Sequence, residues 1–126
     1  MEIISIFQDK VRAWMHACFG PAASNDKIER NHRFFEKAVE LVQACGCSKE
    51  DCLKLVEHIY AKPLGEPIQE VGGVIITLAA LCCAQGINLQ VSAETELDRV
   101  WDKIDAIREK QKRKRELLGH SSPLPE

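Results

Sequence analysis

From Val71 to Ala93 the chain carries no charged side chain. Within that run, Val71, Val74, Ile75, Ile76, Leu78, Leu81 and Cys82 cover most of the circumference of a helix. A helix that is apolar nearly all round is covered on every side, either in the centre of a domain or at an interface between copies. Glu66-Pro67 opens the segment, with proline welcome in the first turn, and Gly86 closes it. The apolar part ends by Gln85-Gly86 and meets Asn88 soon after. That falls short of the roughly 20 apolar residues that a spanning helix needs, so a buried helix is expected and no membrane is.

The remaining segments also read as helices. Ile4, Phe7, Val11 and Trp14 recur every three or four residues, the spacing of one helical face, in a segment from about Ile3 to Cys18 that Gly20-Pro21 stops. A second helix starts at Asn25 or Asp26 and runs to Ala44, with the stripe Phe34, Ala38, Leu41 and Cys45. A third begins at Ser48, which with Asp51 resembles a capping box, and Pro63 ends it. The last starts at Ser92 and continues through Leu97, Val100, Trp101, Ile104 and Ile107 into the charge-rich stretch Arg108 to Arg115. No segment reads as a strand. The expected architecture is an all-α bundle of four to five helices, oligomerising through its core helices, with one domain over residues 1–116 and a flexible tail over 117–126.

Composition narrows the function classes. The net charge is −2, which calls for neither nucleic acid nor an anionic membrane as partner. Met1-Glu2-Ile3 is not a basic leader followed by an apolar core, so no secretory signal is expected and the chain is read as cytoplasmic. In a reducing compartment the six cysteines are expected as buried thiols rather than a disulfide framework. The cluster Cys45-Gly46-Cys47 with Cys52 lacks a CxxC pair, and packing is the expected role there rather than zinc.

Two groups of carboxylates bear on chemistry. Glu70 begins the most apolar segment, on a stripe with Glu66, Gly73 and Thr77 whose non-acidic members are small. A carboxylate at the mouth of such a groove is costly unless paired or bound to a cation; alternatively, Glu70 simply complements the helix dipole. Glu36 and Glu40 lie four apart on one helical face. Two carboxylates on one helix facing one or two on another suit a hard cation such as Mg²⁺, whereas the wheel places Glu36 and Glu40 roughly opposite Phe34, Ala38 and Val42, as surface glutamates would be.

The segment Arg30-Asn31-His32-Arg33-Phe34-Phe35-Glu36-Lys37-Ala38-Val39-Glu40 resembles the first signature of the MazG-like nucleoside triphosphate pyrophosphohydrolases, two adjacent glutamates, two spacers and a third glutamate. Glu66-Pro67-Ile68-Gln69-Glu70-Val71-Gly72-Gly73-Val74 resembles the second, Glu-x-x-Asp followed by an apolar helix. Phe7 to Trp14 is similar to the first helix of such proteins, and Trp101-Asp102-Lys103-Ile104 with Arg108 to the last. The likeness spans about residues 3–112 and is nearest to a subset from bacteria and their phages. It implies Mg²⁺-dependent hydrolysis (Mn²⁺ as a substitute) of a nucleoside triphosphate to monophosphate and pyrophosphate, in a homodimer or homotetramer. The four key carboxylates of the family fall on Lys37, Glu40, Glu70 and Gly73, with Glu36 matching the first glutamate of the trio. Two ligand positions have therefore lost their carboxylate. The resemblance makes Glu40 and Glu70 catalytic and Glu36, Glu40 and Glu70 metal ligands, while Lys37 either contacts a phosphate or pairs with Glu40 or Glu70.

Trp14 offers a face for a base or packs in the core; Arg33 and Lys103 offer charge to phosphates or lie on the surface. His32 reads as a structural histidine. The basic run Arg108–Arg115 has no interleaved aromatic residue and reads as a solvated helix end, so nucleic acid is not the expected partner. The functional expectation is a nucleoside triphosphate pyrophosphohydrolase with a reduced metal site. The alternative is a MazG-like fold that binds a nucleotide or a protein without turnover.

Overall fold

The computed structural model describes the backbone of residues 2–119 and the side chains of residues 6–119. Among them the chain is all helix: α1 (Glu2–Ser24), α2 (Lys27–Ala44), α3 (Lys49–Tyr60), α4 (Pro67–Gln85), α5 (Leu89–Trp101) and α6 (Ile104–Leu118), with no strand. The all-α expectation holds.

Local chemistry sets most boundaries. In α1 the backbone leaves helical geometry at Gly20 (φ 78°, ψ 165°), and the helix resumes for one turn from Pro21. Asp26 Oδ1 accepts the Glu29 amide at 3.0 Å, so Asp26, not Asn25, caps α2. Ser48 Oγ accepts the Asp51 amide at 3.1 Å at the start of α3, as expected of a cap. α3 ends at Tyr60, ahead of Pro63, whose ring disfavours helical geometry in the residue before it.

The C-terminal region differs from the expectation in three ways. α5 begins at Leu89, ahead of the start expected at Ser92, because Asn88 Oδ1 accepts the Val91 amide at 2.9 Å and caps the helix. The expected single last helix is broken at Asp102-Lys103, where Asp102 N donates to Arg99 O and Lys103 N to Val100 O, both at 3.2 Å, the tighter i to i−3 pattern of a terminating turn. The second piece, α6, runs through Leu117 and Leu118 to a left-handed Gly119, so helix extends past residue 116; residues 120–126 of the expected tail lie outside the described residues.

Contacts divide the chain into two units. One takes the chain up to Phe34 and resumes at Ala93; the other takes Phe35–Ser92. The first unit holds the core. Cys18, Phe19 and Ala23 are buried there, with Trp14, Met15, Ile104 and Ile107 packed against them. Trp14 and Phe19 meet edge to face at 5.5 Å, a favoured aromatic geometry, and the Arg30 guanidinium stacks over Phe19 at 5.3 Å. Phe7, Val11 and Trp14 share the half-buried face of α1; the side chain of Ile4 lies outside the described residues.

The second unit contains no residue of the buried class. It contains α4, and here the chain departs from the buried helix expected: Ile68, Val71 and Ile76 are 82%, 63% and 72% exposed. Cys83 is exposed too, against the expectation of buried thiols; only Cys18 of the six is buried, and all six are free. By length and composition α4 meets the criterion for crossing a membrane. Its 19 residues span roughly 28 Å at 1.5 Å per residue, close to the about 30 Å of a bilayer's hydrocarbon core.

Candidate functional site

The segment around Glu36 and Glu40 lies on α2 and the one around Glu70 opens α4, and Glu36, Lys37, Glu40 and Glu70 all belong to the second unit. Glu36 is half-buried, while Lys37, Glu40 and Glu70 are exposed. Lys37 Nζ lies 3.4 Å from Glu40 Oε1, one helical turn along α2. Of the two roles open to Lys37, the chain on its own displays the ion pair. Both groups face solvent, and such pairs contribute only about 0–1 kcal/mol, so the contact is easily exchanged for another.

Glu70 sits in the first turn of α4, where the helix dipole favours a carboxylate. Its side chain folds back across the preceding turn. A β-carbon at Gly65 would stand 2.6 Å from Glu70 Oε1 and 3.0 Å from its carboxyl carbon. Gly65 therefore leaves the space that the carboxylate occupies, a feature that sequence reasoning missed. Gly73, which the resemblance aligns with an aspartate, has open space around the place of its absent side chain.

Glu36, Glu40 and Glu70 do not converge within one chain. Among the described residues, no three His, Cys, Asp or Glu side chains lie close enough to hold a metal ion. The residues of a single copy thus do not by themselves fit the metal that the resemblance implies.

The proposed nucleotide contacts outside that set lie in the first unit. Trp14 Nε1 donates to the Val100 carbonyl at 3.0 Å while its ring packs on Phe19. Trp14 thus serves the core, the plainer of its two readings. Arg33 is half-buried, and its Nε and Nη1 have no hydrogen-bond acceptor among the described residues. Lys103 is exposed at the break between α5 and α6. His32 is half-buried.

A buried charge in the first unit went unnoticed in the sequence. Glu29 is fully enclosed; its Oε2 accepts from Gln111 Nε2 and lies 3.3 Å from Arg115 Nε, and Arg30 Nη2 stands 3.8 Å from Oε1. Burial pushes the Arg30 guanidinium below its ordinary value, and the charge of Glu29 partly offsets that. The signal was the spacing: Glu29 is the third residue after the cap Asp26, where a capping-box glutamate stands, but its carboxylate turns to α6 instead.

Two clefts lie among the described residues. One of ≈ 410 Å³ in the second unit is walled by Phe35, Val39 and Val42 of α2 and by Leu55, Ile59 and Tyr60 of α3. The other, of ≈ 480 Å³ in the first unit, has Phe7 and Lys10 on α1 facing Glu94, Leu97, Asp98 and Trp101 on α5. Compared with protein-family models, with curated proteins and with solved structures, the chain matches none.

Proposed function

We propose that this chain is the subunit of a Mg²⁺-dependent nucleoside triphosphate pyrophosphohydrolase of the MazG-like kind, with a reduced carboxylate set of Glu36, Glu40 and Glu70 that becomes complete only when copies assemble. The observation that carries this reading is the placement of the two signatures. Glu36 and Glu40 lie on the part of α2 that shares a unit with α4, and Glu70 opens α4, in the order and on the kind of helix that the resemblance requires.

Self-association follows from the exposure of α4. A uniformly apolar helix without a buried residue is not a stable surface in water. A second copy of the same helix supplies the same apolar face beyond Glu70, the arrangement of a twofold interface. The occupant of that face is thus another copy of this chain, in a homodimer or homotetramer.

The Lys37–Glu40 contact favours a second reading, in which an ion pair replaces the metal and the fold binds a nucleotide without turnover. Titration of Mg²⁺ and Mn²⁺ into the assembled protein, with and without a nonhydrolysable nucleoside triphosphate, separates the two. Metal binding that strengthens with nucleotide, and is lost in Glu40→Gln and Glu70→Gln, supports the hydrolase. Nucleotide binding that is indifferent to metal supports the second reading.

A further inference from the structure

Cys47 and Cys52 stand in sulfur contact, with Sγ atoms 3.7 Å apart, and local backbone chemistry puts them there. α2 ends in a left-handed Gly46 (φ 92°). Gly46 N donates to Gln43 O at 3.0 Å and Cys47 N to Val42 O at 2.9 Å, the paired bonds that close a helix through a C-terminal glycine. Cys47 is therefore the residue just past the glycine that closes α2. It is also the residue before Ser48, the cap of α3. Residues immediately before a cap and four after it pack together as a staple that fixes the entry of the chain into the helix. In α3 those two positions are Cys47 and Cys52. Both thiols are half-buried and free, so a small reagent can reach them.

We propose that Cys47 and Cys52 form an oxidisable dithiol that accepts a disulfide from a small-molecule disulfide such as oxidised glutathione, turning the staple between α2 and α3 into a covalent one. The thiolate of one cysteine attacks a glutathione sulfur, forming a mixed disulfide and releasing one glutathione thiolate. The second cysteine, as its thiolate, attacks the protein sulfur of that mixed disulfide and expels the other glutathione. Two electrons and two protons pass from the pair to the reagent, giving one internal disulfide and two reduced glutathiones. The sulfur atoms move from 3.7 Å to the about 2.05 Å of the bond. Capped ends on both sides hold the six-residue turn while they do so. Cys52 also lines the apolar cleft between α2 and α3, so the bond fixes one end of that cleft.

The contact also sets the pace. The hydrogen bond with Cys52 holds the Cys47 thiol above its ordinary value, with smaller contributions from burial and from the charges of Cys52 and Asp51. Since only the thiolate attacks, attack by Cys47 speeds up as the pH rises.

The test treats the full-length reduced protein with oxidised glutathione and maps the products after tryptic cleavage. Cleavage after Lys49 separates Cys47 from Cys52, so the internal disulfide appears as two peptides joined by one reducible bond. The expected result is that pair as the main product, exceeding the mixed disulfides at either cysteine by about tenfold or more, as the effective concentration of a contacting thiol dictates. Cys47→Ser and Cys52→Ser each abolish the joined pair and leave the remaining cysteine as a stable glutathione adduct. Stable adducts at both cysteines of the wild-type chain, or an internal bond that pairs either with Cys45, overturns the proposal. Both variants keep a small side chain at the staple, and their helical circular dichroism is expected to match the wild type.

Discussion

Lys37 Nζ approaches Glu40 Oε1 to 3.4 Å, at two positions that the proposed MazG-like reading aligns with carboxylates. The ammonium both occupies a carboxylate that the proposed site needs and repels a cation. At about 4 Å in water, two unit charges interact by about 1 kcal/mol. Lys37→Gln is therefore expected to raise Mg²⁺ affinity about fivefold, measured by calorimetric titration, with little change in stability because the pair is exposed. Lys37→Glu with Gly73→Asp restores the full signature and is expected to raise it further. Unchanged affinity in both variants removes α2 and α4 from any metal site.

The exposed face of α4 sets the second expectation. Ile76 is 72% exposed in the chain, and in the proposed assembly it is covered by another copy. Wild-type protein at micromolar concentration is expected to sediment as a dimer or larger, and Ile76→Lys to shift it towards monomer. A wild-type protein that is monomeric across that range contradicts self-association through this helix.

The helical type of each segment was readable because each has a long stripe at helical spacing, as in Phe34, Ala38, Leu41 and Cys45 of α2, but six helices form where four to five were expected. Caps were readable where side-chain chemistry is local, as at Ser48. The break at Asp102-Lys103 was not, since the stripe Leu97, Val100, Trp101, Ile104 and Ile107 continues across it and neither glycine nor proline marks it. The burial of Glu29 was also hidden, because its partners Gln111 and Arg115 are distant in sequence and sit in a run that reads as solvated. For the candidate site, the carboxylates were identified as residue types on known helices. Their separation within one chain was not readable, because a helical stripe gives the face of a residue and not what lies opposite.

Glu29 tests the first unit's core. Removing one partner of a buried charge set leaves the others uncompensated, typically at a loss of about 3–5 kcal/mol. Glu29→Ala is expected to lose stability of that order in denaturant unfolding, because Arg30 and Arg115 then lack their carboxylate. Lys27→Ala, exposed in the same turn, is expected to change it by less than about 0.5 kcal/mol.

Cys18 gives the fold a pH dependence. Burial raises its thiol from 9.0 to about 11, with Arg108 and Arg30 opposing. The folded state thus holds the proton that the unfolded state releases above 9.0. The stability linked to Cys18 is fully present below pH 9 and is lost as the pH rises towards about 11. At about 1.4 kcal/mol per pH step, the wild type is expected to lose on the order of 2–3 kcal/mol across that window relative to Cys18→Ala. Parallel stability curves for the two proteins contradict this assignment.

The most direct test of the proposed activity is phosphorus NMR of a nucleoside triphosphate panel incubated with the assembled protein and Mg²⁺. The account predicts nucleoside monophosphate and pyrophosphate in equal amounts, abolished by chelation of the metal and reduced at least about a hundredfold in Glu40→Gln and Glu70→Gln. Release of inorganic phosphate and nucleoside diphosphate, or equal rates in wild type and both variants, contradicts it.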